Sequence, residues 1–317
     1  MDLLTLLRSL GSVAVIILLV GLGVFVDRRR WFPGDGWKGL GNLVVNVAMP
    51  CSAFYSLTSG FTGADLASAG LSMAAYAATM AVLWLVSLAL AAAARMPQGR
   101  RGVFAAMVAF SNTVFIGVPM TAMLFGEQAV KYAFMAFLPN TLVFWTIGAW
   151  GIRRDGEPGS RFFAKGWVLK LLTPALIATL LALALIGLDL KPPEIVMQAT
   201  KTVGNMVSAA ALIYCGILLS RMGFRNLKFE KSHAAMMALR FILAPALAWL
   251  ALSLAGTGGT MLRVLIAQAT MPVMSQIAIV ASLYKADDQY AATGFMLSTV
   301  ASAIFIPIVM ILMEMFV

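Results

Sequence analysis

The chain is poor in charge, cysteine and histidine, and each shortage removes a class of function. Only 11% of its 317 residues are Asp, Glu, Lys or Arg, against about 25% in soluble domains. With 61% hydrophobic residues, too little polar surface remains to cover a water-soluble fold, and the chain reads as an integral membrane protein. Two cysteines, Cys51 and Cys215, both inside apolar segments, make neither a disulfide framework nor a metal-ligand spacing. The one histidine, His233, stands at the basic edge of an apolar segment, away from any HExxH motif or serine partner. No Asp or Glu falls in the middle of an apolar segment; Asp65, Glu127, Asp287 and Asp288 lie near ends. An intramembrane aspartate pair is thus missing too, and the sequence is read as that of a non-enzyme with no metal or cofactor. Gly256-Thr257-Gly258-Gly259 reads as a tight turn between spans, because no strand precedes it as in a phosphate loop. Arg28-Arg29-Arg30 follows the first apolar segment, whereas a cleavable signal carries its charge first.

What is present is a succession of apolar segments long enough to cross a bilayer. Ten are predicted, at roughly 5–26, 39–58, 66–94, 102–125, 129–151, 166–187, 194–220, 232–254, 260–284 and 288–314. The seventh is the least apolar, with Lys201, Asn205 and Ser208 inside it. The formal charge of +10 would alone suit nucleic acid, but no basic stretch is long or soluble enough to form a groove-reading module. Most Lys and Arg instead cluster in the loops after spans one, three, five, seven and nine, from Arg28 through Arg95, Arg100, Arg101, Arg153, Arg154, Arg161, Lys165, Lys170, Arg221, Arg225, Lys228 and Lys231 to Lys285. The opposite loops hold little beyond Lys131 and Lys191. Positive loops stay cytoplasmic, so both termini are expected outside a cell (inner) membrane. Five spans per half then place the two halves in opposite orientations. Weak similarity between Leu124–Ala133 and Leu283–Ala292 supports inverted repeats. The expected layout is residues 1–151 for the first repeat, 152–165 for a cytoplasmic linker and 166–317 for the second.

Two of these segments are interrupted. Span four contains Phe110-Ser111-Asn112-Thr113-Val114-Phe115-Ile116-Gly117-Val118-Pro119, and span nine contains Met271-Pro272 with Ser275 and Gln276 one turn on. Pro119 has no N–H for the carbonyl of Phe115, and its ring crowds that carbonyl. Gly117 strips the side chain beside it. Freed backbone groups are tolerated only inside protein or at a wet cavity. A pair of interrupted segments, one in each half, is a pointer to a transporter binding site. A helix restarting after such a break presents unpaired N–H groups with a partial positive charge of roughly half a unit, and carboxylates bind these ends. Asn112, Thr113, Asn140, Ser275 and Gln276 are placed to add donors. For Asn112 the competing role is a cap that repairs the helix. Arg240 lies about nine residues, or ~13 Å, inside span eight. A charge there is functional by default: it balances substrate charge, couples one domain to another, or snorkels to the surface.

The run Asn112-x-x-Phe115-x-Gly117-x-Pro119 resembles the fourth span of the auxin efflux carrier family. Met271-Pro272-Val273 and Ala281-Ser282-Leu283-Tyr284 resemble its ninth. Asn46-x-x-Met49-Pro50, Thr173-Pro174 and Arg240 with Pro245 are similar to its second, sixth and eighth. The resemblance runs over nearly the whole chain and rests on the order and spacing of these motifs. One departure is Ser208-Ala209-Ala210, where the family often has a proline. The large loop of plant members is also absent, as in the compact bacterial type. The resemblance implies an all-α membrane fold of the bile acid/sodium symporter-like kind: ten helices in two inverted five-helix repeats, with broken helices four and nine crossed. It implies a homodimer, a scaffold of spans one, two, six and seven, and a moving domain of spans three to five and eight to ten. It implies elevator-type transport of a small organic anion, auxin-like or malonate/malate-like. The implied substrate-binding set is Asn112, Thr113, Gly117, Pro119, Asn140, Trp145, Pro272, Ser275, Gln276, Asn46 and Cys51, with Arg240 for charge balance or domain coupling. For Cys51 and Trp145 plain helix packing competes. A proton antiporter using membrane carboxylates is disfavoured. Sodium-coupled symport, outward uniport and proton entry on the substrate stay open, as does a non-pumping anion channel or sensor.

Overall fold

The computed structural model describes residues 3–160, 172–222 and 228–316. Arg161, Lys165, Lys170 and Arg225, the second part of the expected linker and the first residues of span six lie outside the described residues. All regular structure among those described is helical, apart from one isolated antiparallel bridge pairing Ser111 with Val273. The helices, in chain order, are α1 Leu3–Arg28, α2 Trp37–Gly60, α3 Gly63–Ala93, α4 Gln98–Ala109, α5 Thr113–Phe125 and α6 Glu127–Gly156. They continue as α7 Pro174–Gly187, α8 Glu194–Arg221, α9 Lys231–Leu254, α10 Gly259–Ala269, α11 Gln276–Leu283 and α12 Asp288–Phe316. Six of them, α2, α3, α6, α8, α9 and α12, are long and apolar enough to cross a membrane; α5 and α7 are shorter apolar helices.

Three prolines shape these helices in the same way. A π turn covers Val44–Ala48 just before Met49-Pro50, Thr113–Gly117 just before Val118-Pro119, and Leu239–Leu243 just before Ala244-Pro245. A proline ring crowds the carbonyl four residues back and offers it no N–H. The widened turn shifts bonding to the residue five back, as in Met49 N–H to Val44 O and Ala244 N–H to Leu239 O. π-helix occurs mostly as such single turns inside α-helices, frequently at functional sites. The break expected beside Gly117 and Pro119 is therefore not there: the helix runs on through Pro119, and regular bonding lapses upstream instead, at Phe110–Asn112.

Other elements begin and end for local reasons. At the start of α3, Asp65 accepts from the Thr62 N–H at 3.0 Å and the Thr62 hydroxyl at 2.8 Å. Those bonds hold the Asp65 carboxyl below the usual range and cap the first turn. The start of α9 is capped reciprocally. The Glu230 N–H donates to His233 Nδ1 at 3.2 Å, which leaves Nε2–H to donate to the Tyr290 carbonyl at 3.2 Å. His233 is fully buried and acts as a cap.

The chain forms two compact units. The first is Met1–Leu71, Val114–Leu138 and Leu172–Phe224, and the second is Ser72–Thr113, Pro139–Leu171 and Arg225–Val317. In the first, α1 packs along the second half of α8 with almost no side chain between them. A Cβ on Gly23 would sit 2.1 Å from the Ile213 carbonyl oxygen, and one on Gly216 2.0 Å from that of Val20. Small residues allow such close approach where no hydrophobic drive operates between helices in lipid. In the second, α4 packs against the end of α6, where a Cβ on Gly102 would lie 2.1 Å from the Gly151 carbonyl oxygen. Three connections of this unit are tied by Arg100, which pairs with Glu230 at 2.9 Å and Asp287 at 2.6 Å and lies over the Tyr290 ring at 5.1 Å.

Replacing Gly216 by Val must push α1 from α8, and overpacking of this kind costs about 1–3 kcal/mol or more. The thermal midpoint of purified Gly216→Val should fall clearly below wild type; an unchanged midpoint contradicts this packing.

Candidate functional site

The second unit holds the two interruptions side by side. After α4 ends at Ala109, Phe110 is extended, with φ −109° and ψ 128°, and Ser111 forms its bridge with Val273. The opposing stretch, Thr270 to Ser275, lies between α10 and α11. The Asn112 N–H donates to the Pro272 carbonyl at 2.9 Å, and the Met274 N–H donates to the Phe110 carbonyl at 3.2 Å. Two stretches that have left their helices thus bond each other antiparallel. Pro272 fits because only its carbonyl is used; it has no N–H to leave unpaired.

Side chains satisfy the groups that this exchange leaves over. Asn140, 1% exposed, bonds Ser111 twice: its Oδ1 accepts the Ser111 N–H and its Nδ2 donates to the Ser111 carbonyl, both at 3.2 Å. The Val273 N–H donates to the Ser298 hydroxyl at 3.0 Å. Arg240 is 0% exposed and lies in the π turn of α9. Its Nε donates to the Met271 carbonyl at 2.7 Å, one Nη to the carbonyls of Val108 at 2.6 Å and Met107 at 3.3 Å, and the other to the Ser111 hydroxyl. Tyr76 also hydrogen-bonds Ser111 through its side chain. Met107 and Val108 belong to the last turn of α4, and Met271 lies just beyond α10. Orphan carbonyls at helix C-terminal ends carry the negative pole of the helix dipole. Arg240 therefore places one buried positive charge among two negative helix ends and donates to both. No carboxylate is paired with it among the described residues.

The opposite ends of the same interruptions carry no such charge. Thr113 opens the next helix and is fully buried; its hydroxyl has no hydrogen-bond partner among the described residues, and neither has that of Thr141, one residue past Asn140. Asn112 is 2% exposed. At the start of α11, Ser275 is buried without capping the helix through its side chain, and Gln276 is half-buried. Amide ends and uncharged donors thus gather where the chain re-enters its helices, and the cation gathers where it leaves them.

The remaining expected residues fall elsewhere. Trp145 is half-buried in the π turn Phe144–Gly148, with its ring edge-on to Phe144 at 5.2 Å between centroids. Gly117, Pro119, Asn46 and Cys51 belong to the first unit. Gly117 is buried and its carbonyl accepts the Thr121 hydroxyl at 2.8 Å, while Pro119 opens the last two turns of α5. Asn46 is exposed in the π turn of α2, and Cys51 is a half-buried free thiol. Among the described residues no cluster of His, Cys, Asp or Glu is arranged to hold a metal. Sequence reasoning missed Ser111, which joins Arg240, Asn140 and Tyr76, and it missed Ser298. Ser111 lay next to Asn112 in the interrupted run; Ser298 and Tyr76 sit in long apolar helices with no local sign.

An all-helical chain with several membrane-crossing helices is a multi-pass membrane protein. The profile of the membrane transport protein family matches residues 9–310, and the chain belongs to that family, which includes the auxin efflux carriers. It is similar to an uncharacterized transporter of Methanocaldococcus jannaschii, 23% identical over 299 residues that cover 93% of this chain and 95% of the relative. It is also similar to an uncharacterized transporter of Methanothermobacter thermautotrophicus, 24% identical over 306 residues, covering 95% and 97%.

Removing the Arg240 guanidinium orphans three buried carbonyls and takes one donor from the Ser111 hydroxyl. Each buried group left unsatisfied costs about 1–3 kcal/mol. Arg240→Met should lower the thermal midpoint sharply and Arg240→Lys less so, because an ammonium still places charge there but cannot fork to four acceptors. Equal stability of Arg240→Met and wild type, by intrinsic tryptophan fluorescence on heating, contradicts the clasp.

Proposed function

We propose that the protein carries a small organic anion, a mono- or dicarboxylate of the auxin or malonate/malate kind, across the cell membrane. The observation that carries this reading is the division of charge at the interruptions. Arg240 is occupied by carbonyls at the helix ends, so a carboxylate would be received by the amide end at Ser275-Gln276 and by the unpartnered Thr113 hydroxyl, the Thr113 N–H already donating to the Ser111 carbonyl at 2.9 Å. Backbone N–H groups at a helix start hold carboxylates without a lysine or arginine. Asn112, Thr113 and Gln276 would donate side-chain bonds, Asn140 and Pro272 would hold the backbone in place, and Trp145 would stand nearby on its own helix. Gly117 and Pro119 would serve from span four of the carrying domain, and Asn46 and Cys51 from span two of the scaffold.

The proposed frame is ten spans in two inverted repeats, with helices four and nine broken and crossed and both termini outside. The mechanism proposed is elevator-type alternating access by rigid movement of a carrying domain against a dimeric scaffold, the site staying at the crossover. An anion leaving a negative-inside cell gains about 2.3 kcal/mol per charge per 100 mV, which would drive export without a coupling ion. The runner-up is sodium-coupled symport on the same frame, with sodium held by carbonyls at the breaks together with Asn and Ser side chains; proton entry on the substrate stands beside it.

A thermal-shift screen of purified protein against mono- and dicarboxylates, with and without sodium, tests the site. Wild type should be stabilised by at least one carboxylate. Asn112→Ala should weaken that binding roughly 10- to 100-fold, as expected for one hydrogen bond to a charged group. Stabilisation by no carboxylate, or by one equally in the mutant, contradicts the proposal. Counterflow in proteoliposomes separates a carrier, which accelerates exchange, from a channel or sensor.

A further inference from the structure

We propose that the first unit carries an oxyanion site of its own, built on Lys131 and Lys201. Both lysines line a polar cavity of about 780 Å³ formed by α2, the start of α6 and α8, all within that unit. Neither is explained by membrane topology. By the loop count both lie toward the loops opposite the arginine-rich ones, where the positive-inside rule leaves few cations. Lys201 stands well inside α8, a membrane-crossing helix, and a charge within such a helix faces a polar cavity or a partner.

The packing aims both charges at this space. At Gly204 the helices touch through backbone: a Cβ there would lie 2.8 Å from the Ser52 Cα. That contact sets Lys201 and Asn205, one turn apart, beside Ser52, Tyr55 and Ser56 of α2. Lys201 Nζ lies 5.7 Å from the centre of the Tyr55 ring. Lys131 is held in place by donating to the Gly60 carbonyl at the end of α2, between the rings of Phe61 at 4.8 Å and Tyr132 at 5.1 Å. Glu127 is the one carboxylate among the residues that line the cavity, and neither lysine is ion-paired among the described residues. Two ammonium groups, four hydroxyls and two amides lining one wet space, with a single acid, suit a carboxylate or phosphate. The oxyanion comes either from a small organic acid or from a phospholipid headgroup. The site stands on this geometry; only the choice of an organic acid as first probe rests on the transport reading above.

The test is acetylation of lysines by N-hydroxysuccinimidyl acetate, read residue by residue by mass spectrometry on the full-length protein in nanodiscs. In neutral phosphatidylcholine discs, saturating malonate should slow acetylation of Lys201 about fivefold or more relative to chloride of equal ionic strength, as mass action predicts well above the dissociation constant. Lys201→Gln should remove the malonate protection of Lys131, and Asn112→Ala should leave the protection of Lys201 intact. Protection in phosphatidylglycerol discs without malonate, and none by malonate, supports the site with a headgroup as its occupant. Protection no greater than with chloride under both conditions overturns the proposal. So does protection that disappears in Asn112→Ala, because it would then report occupancy elsewhere. Protection at Lys201 without any carboxylate flux leaves this site standing and sinks the transport reading instead.

Discussion

Backbone polar groups freed inside a membrane protein must find partners, because no water reaches them in hydrocarbon and each orphan costs several kcal/mol. The second unit meets this constraint at one residue more than any other. Arg240 donates to the carbonyls of Met107, Val108 and Met271 and to the Ser111 hydroxyl. Without those donors the last turn of α4 and the stretch after α10 would hold bare carbonyls in a buried place. A fully buried guanidinium without a carboxylate is expensive by itself. It is sustained here because the acceptors are the negative ends of two helices, already oriented toward it. Asn140 and Ser298 complete the work with neutral bonds to Ser111 and Val273.

This arrangement separates charge along each interruption. The ends where helices stop carry the cation, and the ends where helices restart carry amides, Thr113, Ser275 and Gln276. Such polarity is what the proposed carboxylate would meet. The surrounding helices keep it rigid through backbone contact, as where Gly102 meets Gly151, and through the Arg100 cluster with Glu230 and Asp287.

Much of this is legible in the sequence. The shortage of charge and the length of the apolar segments announced a multi-pass helical protein. The runs around Asn112 and Met271-Pro272 mark the interruptions, and the depth of Arg240 in its span singles it out, with snorkelling as a competing role. Where the reading slipped, the cause is physical. Proline pointed to a break at Pro119, yet a π turn at Thr113–Gly117 absorbs the missing N–H, and the lapse falls at Phe110–Asn112, where no proline stands. The same device recurs before Pro50 and Pro245, and a hydropathy pattern cannot separate it from a kink. Arg240 was weighed against substrate charge, domain coupling and snorkelling; its partners are carbonyls of its own unit, and these are invisible in sequence because backbone carbonyls carry no residue code. Ser111, Tyr76 and Ser298 escaped for a related reason: a hydroxyl in an apolar helix usually bonds its own backbone, and only the fold shows which ones reach across.

The central claim is that the helix-starting amides, and not the buried arginine, receive the anion. An electron cryomicroscopy map of the protein bound to a carboxylate that stabilises it decides this directly. The account predicts carboxylate density within hydrogen-bonding distance of the Ser275 and Gln276 amides or of the Thr113 hydroxyl, with Arg240 still bonded to Met107, Val108 and Met271. Density seated on the Arg240 guanidinium, with those carbonyls released, would contradict it.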